Sequence, residues 1–386
     1  MSVAEAIRGI SLDVSSRPTL SAKARALQSH AVVLGREVLG IVSMAPFALT
    51  SYWLYQRLGS GDGKMNVSLL KDQRYGPARR NVLDVYRHCG TRGGVARVER
   101  AGDMPDKHPE DGSIKPRPVV LFVHGGVWST GSKWHYAKMA SRLAEEGLTT
   151  CVAEYTLYPA CTSEQMVEEV GQALDWVVEH CAVAEAQDVV LVGHSAGAHL
   201  CAMLLLDRAR ASVVGAPSGA GSSQLNVPTR FVGMAGVYDI ARHYEYEKKR
   251  NVHHLSTMQR AVGGAESFAG QSPAVVLGSA DIDVQRLPSI HLMASRGDIT
   301  VPHIESADLH NLLRSRGCPE VSLSLYEDVG HGDFVVEWRP RGSSDDSSIE
   351  QYTSNLPPYA QDLVRSILEV DVPREFITGA VRRRPR

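Results

Sequence analysis

The stretch from Val189 to Leu206 reads VVLVGHSAGAHLCAMLLL. Its first four residues form an apolar run of the kind a fully buried strand shows. After five small or polar residues the apolar character resumes at helical length. A buried strand that feeds a helix through a sharp turn is part of a βαβ crossover, and such a crossover needs parallel neighbours. Neighbours are available along the chain. Val82–Tyr86, Val95–Val98, Pro118–Val123, Thr149–Glu154, Arg230–Met234, Ser289–Ala294 and Val321–Tyr326 read as strands. Lys133–Glu146, Ser163–Cys181, Ala196–Asp207, Ile304–Ser315 and Tyr359–Val370 read as helices, with one apolar face each where the spacing is clear. This alternation predicts an α/β fold, a mostly parallel central sheet with helices on both faces.

Composition narrows the class. Hydrophobic residues make up 43% of the 386 and charged residues 22%, enough for a large buried core. The net charge of −2 gives no basic surplus, so nucleic-acid binding is not expected. Six cysteines are scattered with no CxxC pair and no close Cys/His cluster. Neither a zinc site nor a disulfide framework is expected, and the thiols are read as reduced.

Residues 1–70 differ in composition from the rest and form an N-terminal region. Residues 1–30 mix charges with no apolar stretch of the signal-peptide kind. Val38 to Tyr55 carries no charge, and Tyr52, Trp53 and Tyr55 cluster at one end. As a helix it would span about 27 Å against a bilayer core of about 30 Å. Membrane association, spanning or interfacial, is therefore expected for residues 38–55, the alternative being a helix packed on the catalytic domain as a lid. Residues 71–372 are assigned to the catalytic domain. The segments 103–117, 215–227 and 339–348 read as loops or insertions. Residues 373–386 form a basic tail with four arginines, either solvated or in contact with anionic lipid.

Chemistry is carried by four pieces. Gly193-His194-Ser195-Ala196-Gly197 fits G-x-S-x-G, and it lies between a strand and a helix, the setting of a nucleophile elbow. Side chains at positions 193 and 197 would collide with backbone there, and the turn aims the Ser195 hydroxyl outward. His124-Gly125-Gly126 follows the strand PVVLFV and suits an oxyanion loop. The N–H groups of Gly125 or Gly126, with that of Ala196, are expected to hold the oxyanion, while His124 shapes the loop. Asp298 follows strand 289–294 in a tight turn, and His331 stands between glycines after strand 321–326. The order Ser195, Asp298, His331 is that of an α/β-hydrolase triad, with His331 as base and Asp298 as its orienter. The rival acids Asp281 and Asp283 precede their strand, and Asp333 is too near His331. His199, His253, His254, His291, His303 and His310 lack a comparable context. The protein supplies every group this chemistry needs, so no metal and no organic cofactor is expected.

With these residues the chain resembles the isoprenylcysteine methylesterases, within the wider group of lipase-like and kynurenine-formamidase-like α/β-hydrolases. The resemblance rests on Tyr75-Gly76-Pro77 with Arg80-Asn81-Val82-Leu83-Asp84-Val85-Tyr86, on His124-Gly125-Gly126-Val127-Trp128, on Gly193 to His199, and on Gly236-Val237-Tyr238-Asp239. The chain departs from the family's Asp-Tyr-Arg with Glu154-Tyr155-Thr156, and from the plant enzymes' usual Gln with His194. Residues 242–287 match nothing in the pattern, which leaves the pocket walls open.

The resemblance implies a serine carboxylesterase working through an acyl-enzyme on a prenylcysteine methyl ester or a similar hydrophobic ester, free or on a prenylated protein. It implies a place on endomembranes of the endoplasmic reticulum or Golgi with the catalytic domain facing the cytosol; a cytoplasmic placement is the alternative. A kynurenine-formamidase-type amidase, a general carboxylesterase or lipase, and a non-catalytic binding module on the same fold are the competing readings. The sequence says nothing of oligomeric state.

Overall fold

A computed structural model describes residues 3–60, 66–89, 117–181, 188–213, 226–279, 281–338, 356–368 and 381–382. The expected strand 95–98, loop 103–116 and insertion 339–348 lie outside the described residues, as does nearly all of the insertion at 215–227.

Among the described residues nine strands form one sheet. They are β1 (Val67–Arg74), β2 (Val82–His88), β3 (Val119–Val123), β4 (Thr149–Ala153), β5 (Val189–His194), β6 (Arg230–Met234), β7 (Ser289–Ser295), β8 (Val321–Tyr326) and β9 (Val381–Arg382). Their order is β1-β2-β4-β3-β5-β6-β7-β8-β9. β1 and β2 are antiparallel to their neighbours, and every pair from β4 to β9 is parallel. Around the sheet lie α3 (Ala137–Glu145), α4 (Ser163–His180), α5 (Ala196–Val213), α6 (Ile240–Lys249), α7 (Met258–Ala261), α8 (Pro273–Leu277), α9 (Ile304–Ser315), α10 (Asp333–Val336) and α11 (Pro358–Leu368). This is the α/β-hydrolase fold.

The central strands are buried on both faces, which is why they read as unbroken apolar runs. Val119, Leu121 and Val123 of β3 join one core with α4 and α5, whereas Val120 and Phe122 join the other with α3 and α11. Strand order reverses at β3. The chain runs from β3 outward to β4 and then returns to β5 on the opposite side. Loops leaving the carboxyl ends of β3 and β5 therefore open side by side, and Val123 pairs with Gly193 where they part. Ligand sites of open α/β sheets lie at such switch points.

Two helices precede the sheet, α1 (Val3–Ser16) and α2 (Leu20–Gly59). Thr19 caps α2 by accepting a hydrogen bond from the Ala22 N–H. Ser51, Leu54, Tyr55 and Leu58 are buried at the i, i+3, i+4, i+7 positions of one face. That face packs on Val67 of β1, Tyr86 of β2 and Tyr136. A buried ion pair fastens it. Lys133 Nζ donates to Asp84 at 2.9 Å, to Asp72 at 2.6 Å and to the Tyr55 hydroxyl at 3.2 Å. No helix among the described residues is long and apolar enough to cross a membrane, so the spanning form of the expectation for residues 38–55 is not met. The uncharged run instead ends in a face docked on the hydrolase domain. β1 also straddles position 70, so the sheet takes its first strand from the compositional N-terminal region. In the basic tail, Val381–Arg382 pairs with β8.

Candidate active site

Ser195 stands between β5 and α5 with φ of 54°, the left-handed backbone of a strained elbow. Its N–H donates to the Met234 carbonyl at 2.9 Å. The collisions expected at the flanking glycines are present. A Cβ on Gly193 would come within 2.6 Å of the Ala198 backbone, and one on Gly197 within 2.2 Å of the Val123 carbonyl. The turn is thus wedged against the tip of β3. As the first residue of α5, Ala196 has an N–H with no acceptor inside its helix.

Gly125 and Gly126 lie across from the elbow. A Cβ on Gly125 would lie 2.9 Å from both the His194 carbonyl and the Ser195 Cβ, so the loop backbone reaches the serine as closely as backbone can. Gly126 has φ of 121°, open only to glycine. Beyond it Val127 and Trp128 also hold positive φ. The loop is braced from beneath. The His124 ring stacks on Tyr155 at 4.5 Å, and its Nδ1 lies 2.7 Å from the Gly125 carbonyl. The Tyr155 hydroxyl donates to the His124 carbonyl at 2.8 Å. Burial lowers His124 to about 4, so the ring is neutral and structural.

Asp298 follows β7 and is 5% exposed. Its Oδ1 accepts from the N–H groups of Thr300 at 2.7 Å and Val301 at 2.9 Å, and its Oδ2 faces His331 Nδ1 at 2.8 Å. Burial pushes the carboxyl up, but the imidazole and the two N–H groups outweigh it, and Asp298 ends below the usual range. It is the ionised partner of the ring. Ser295 holds the two loops together, since its hydroxyl accepts from Gly297 N–H at 3.0 Å and from Val329 N–H at 3.1 Å. With Nδ1 committed to Asp298, His331 Nε2 is the nitrogen left for Ser195. Among the described residues the Ser195 hydroxyl makes no hydrogen bond. Such contacts commonly tighten only when substrate binds.

The rival acids are engaged elsewhere. Asp333 accepts from the Gly330 N–H at 2.8 Å, Asp281 pairs with Arg210 at 2.7 Å, and Asp283 pairs with Arg286 at 3.0 Å. His291 is buried beside Ser322, and His199 accepts from Trp128 Nε1 at 3.3 Å.

Several supports were invisible in the sequence. His194 Nε2 donates to the His331 carbonyl at 2.9 Å, so the elbow's second residue holds the loop of its own partner. Burial lowers His194 to about 3, which keeps it neutral. Arg80 donates to the carbonyls of Tyr155 at 2.8 Å and Gly131 at 2.9 Å. Glu154 accepts from the Ser132 hydroxyl and the Lys133 N–H. Arg80 and Glu154 therefore brace Gly131, Ser132 and Lys133, where the chain leaves the Gly125–Gly126 loop. Thr257, from the unmatched stretch 242–287, closes it from the other side by donating to the Val127 carbonyl.

Comparison with known proteins gives this geometry its relatives. The BD-FAE family model matches residues 107–313, more than half of the chain. The chain belongs to the BD-FAE family. It is 32% identical over 269 residues to a probable isoprenylcysteine alpha-carbonyl methylesterase of Oryza sativa subsp. japonica, a match covering 68% of this chain and 61% of that protein. It is 24% identical over 239 residues to the kynurenine formamidase of Drosophila melanogaster, covering 62% of this chain and 73% of that one. The alignments thus take in less than two thirds of the plant methylesterase's length. Among solved structures, esterase B from Lactobacillus rhamnosis (HN001) superposes with a TM-score of 0.55 at 16% identity, covering 80% of this chain and 91% of that one. This likeness shows the shared fold, and the BD-FAE match spans β3 through α9, the elements that carry the elbow and Asp298.

Proposed function

We propose that this chain is a serine carboxylesterase with Ser195, His331 and Asp298 as its triad, and with the N–H groups of Ala196 and of Gly125 or Gly126 as its oxyanion hole. The observation that carries this reading is the convergence of four loops, those that leave the carboxyl ends of β3, β5, β7 and β8. The backbone of Gly125–Gly126 presses against the strained Ser195 turn, the His194 ring beside that serine bonds the His331 carbonyl at 2.9 Å, and His331 faces Asp298 at 2.8 Å. In the reaction His331 Nε2 takes the Ser195 proton as Oγ attacks the ester carbonyl. The negative oxygen is held by the N–H groups of Ala196 and of Gly125 or Gly126. The protonated ring then gives its proton to the leaving alkoxide. Water repeats the sequence on the acyl-enzyme, and Ser195 is freed.

For the substrate, the plant relative's name points to a prenylcysteine methyl ester or another hydrophobic ester, free or on a prenylated protein. The Drosophila relative favours a second reading, a formamide, because the same triad cleaves either bond and that alignment takes in more of its partner's length. Endomembrane attachment rests on the resemblance and on the exposed side chains of Leu49, Tyr52 and Trp53 on α2; flotation with anionic vesicles tests it. The substrate test compares wild type with Ser195→Ala on a prenylcysteine methyl ester, short and long p-nitrophenyl esters, and N-formylkynurenine. Ser195-dependent turnover strongest on the prenylated ester is the expected result. Turnover confined to the formamide rejects the esterase reading and keeps the triad.

A further inference from the structure

We propose that Asp13, His30 and His254 form a transition-metal site of the zinc class, which fastens the N-terminal helices to the loop that follows α6. The three residues come from α1, α2 and the stretch between α6 and α7, and one ligand atom from each lies within 4.8 Å of the others. His30 is 4% exposed, and its Nε2 sits 2.9 Å from Asp13 Oδ2. The His254 ring is tilted against that of His30 with centroids 5.6 Å apart. Among the described residues His254 makes no hydrogen bond, so both of its nitrogens are free to ligate. Two imidazoles and one carboxylate suit zinc and its first-row neighbours and do not suit magnesium or calcium, which take oxygen ligands.

The geometry needs little change. Zinc bonds of about 2.0–2.1 Å set tetrahedral ligand atoms roughly 3.3 Å apart. The His30–Asp13 pair is already at that scale, so closure falls to the half-exposed His254 side chain. A metal on His30 Nε2 requires the Nδ1 of that ring to carry its proton and donate it. Asn251 stands at 3.0 Å from Nδ1, and its amide, turned over, offers Oδ1 as the acceptor. The site is separate from the Ser195 constellation yet linked to it, because Thr257 three residues beyond His254 holds the Val127 carbonyl. Spacing along the chain hides it: no two of the ligands fall within a motif.

The test uses the untagged full chain, stripped with EDTA and titrated with zinc against a chromophoric chelator, beside His254→Ala and Asp13→Asn. The expected result is one zinc ion per chain with a micromolar or tighter dissociation constant, weakened by about tenfold or more in each variant. Amide exchange in α1 and α2 should slow on zinc addition in the wild type alone. Magnesium should not compete. Equal zinc affinity in wild type and His254→Ala overturns the proposal, as does the absence of saturable micromolar binding to the wild type. Circular dichroism matching the wild type qualifies each variant, and either one alone decides the outcome.

Discussion

A single methyl group at position 125 probes the approach of the Gly125–Gly126 loop to the serine elbow. In Gly125→Ala the new Cβ would lie 2.9 Å from the His194 carbonyl oxygen and 2.9 Å from the Ser195 Cβ. Ordinary contacts between such atoms fall near 3.5–4.0 Å, so roughly 0.6–1 Å must be recovered. Neither neighbour can rotate away: one is backbone at the end of β5, and the other sits on the strained φ of 54°. The loop itself has to retreat, and it carries the Gly126 N–H with it. A 1 Å misplacement costs about 10²-fold in rate, and the loss of one oxyanion donor about 2.7–4 kcal/mol. We expect kcat on a p-nitrophenyl ester to fall by about 10²-fold with KM changed little, since the loss is confined to the transition state. Stopped-flow esterase kinetics read the first quantity, and a thermal melt checks that the fold survives. A Gly125→Ala enzyme that melts like wild type and turns over within about threefold of it would refute an oxyanion role for this loop.

Other expectations are smaller in scope. His194→Phe keeps the ring volume and removes the Nε2–H bond to the His331 carbonyl, worth ~1 kcal/mol; kcat should fall about fivefold with KM unchanged, and an unaltered kcat would deny His194 a positioning role. Lys133→Met strands Asp84 as a buried unpaired charge and should cost about 3–5 kcal/mol, seen as a lower denaturation midpoint. Burial holds His124, His199, His243 and His291 to about 4 and His194 to about 3. The unfolded chain therefore binds more protons than the native one between about pH 6.5 and pH 4, and stability falls as the solution is acidified through that window. Glu247 and Glu305, pushed up to about 7 by burial, act in the opposite sense between their unfolded values and pH 7. Burial also lowers His253 to about 4, and six histidines against two glutamates leave a net fall of a few degrees in melting temperature from pH 7 to pH 5; a midpoint that rises on acidification would contradict the balance.

The parts of the fold that were legible are those whose local pattern decides them. Val119–Val123, Arg230–Met234 and Val321–Tyr326 are strands where unbroken or alternating apolar runs said so, and Ile304–Ser315 is a helix at its expected bounds. The elbow could be read because its glycines answer to backbone collisions that any chain would suffer there. The order and strand context of Asp298 and His331 led to residues that do meet, at 2.8 Å. What escaped depends on long-range packing. The uncharged run Val38–Tyr55 read as a membrane segment or as a helix packed on the catalytic domain, and only the tertiary contacts of Ser51, Leu54, Tyr55 and Leu58 make the end of α2 a docked face. The His194 bond to the His331 backbone joins residues 137 apart, and no pattern along the chain announces a side chain that bonds a carbonyl. Residues 242–287 carry short helices and Thr257, whose value lies in touching Val127 and not in any motif.

The most direct test of the central claim is covalent labelling. Intact protein is treated with a fluorophosphonate, digested, and the modified residue located by mass spectrometry, with His331→Ala and Asp298→Asn alongside. The account predicts one adduct per chain on Ser195, formed far more slowly in His331→Ala and more slowly in Asp298→Asn, because the nucleophile depends on the ring and the ring on its carboxylate. No adduct on the folded wild type, an adduct on a different serine, or labelling of Ser195 at the same rate in all three proteins would contradict it.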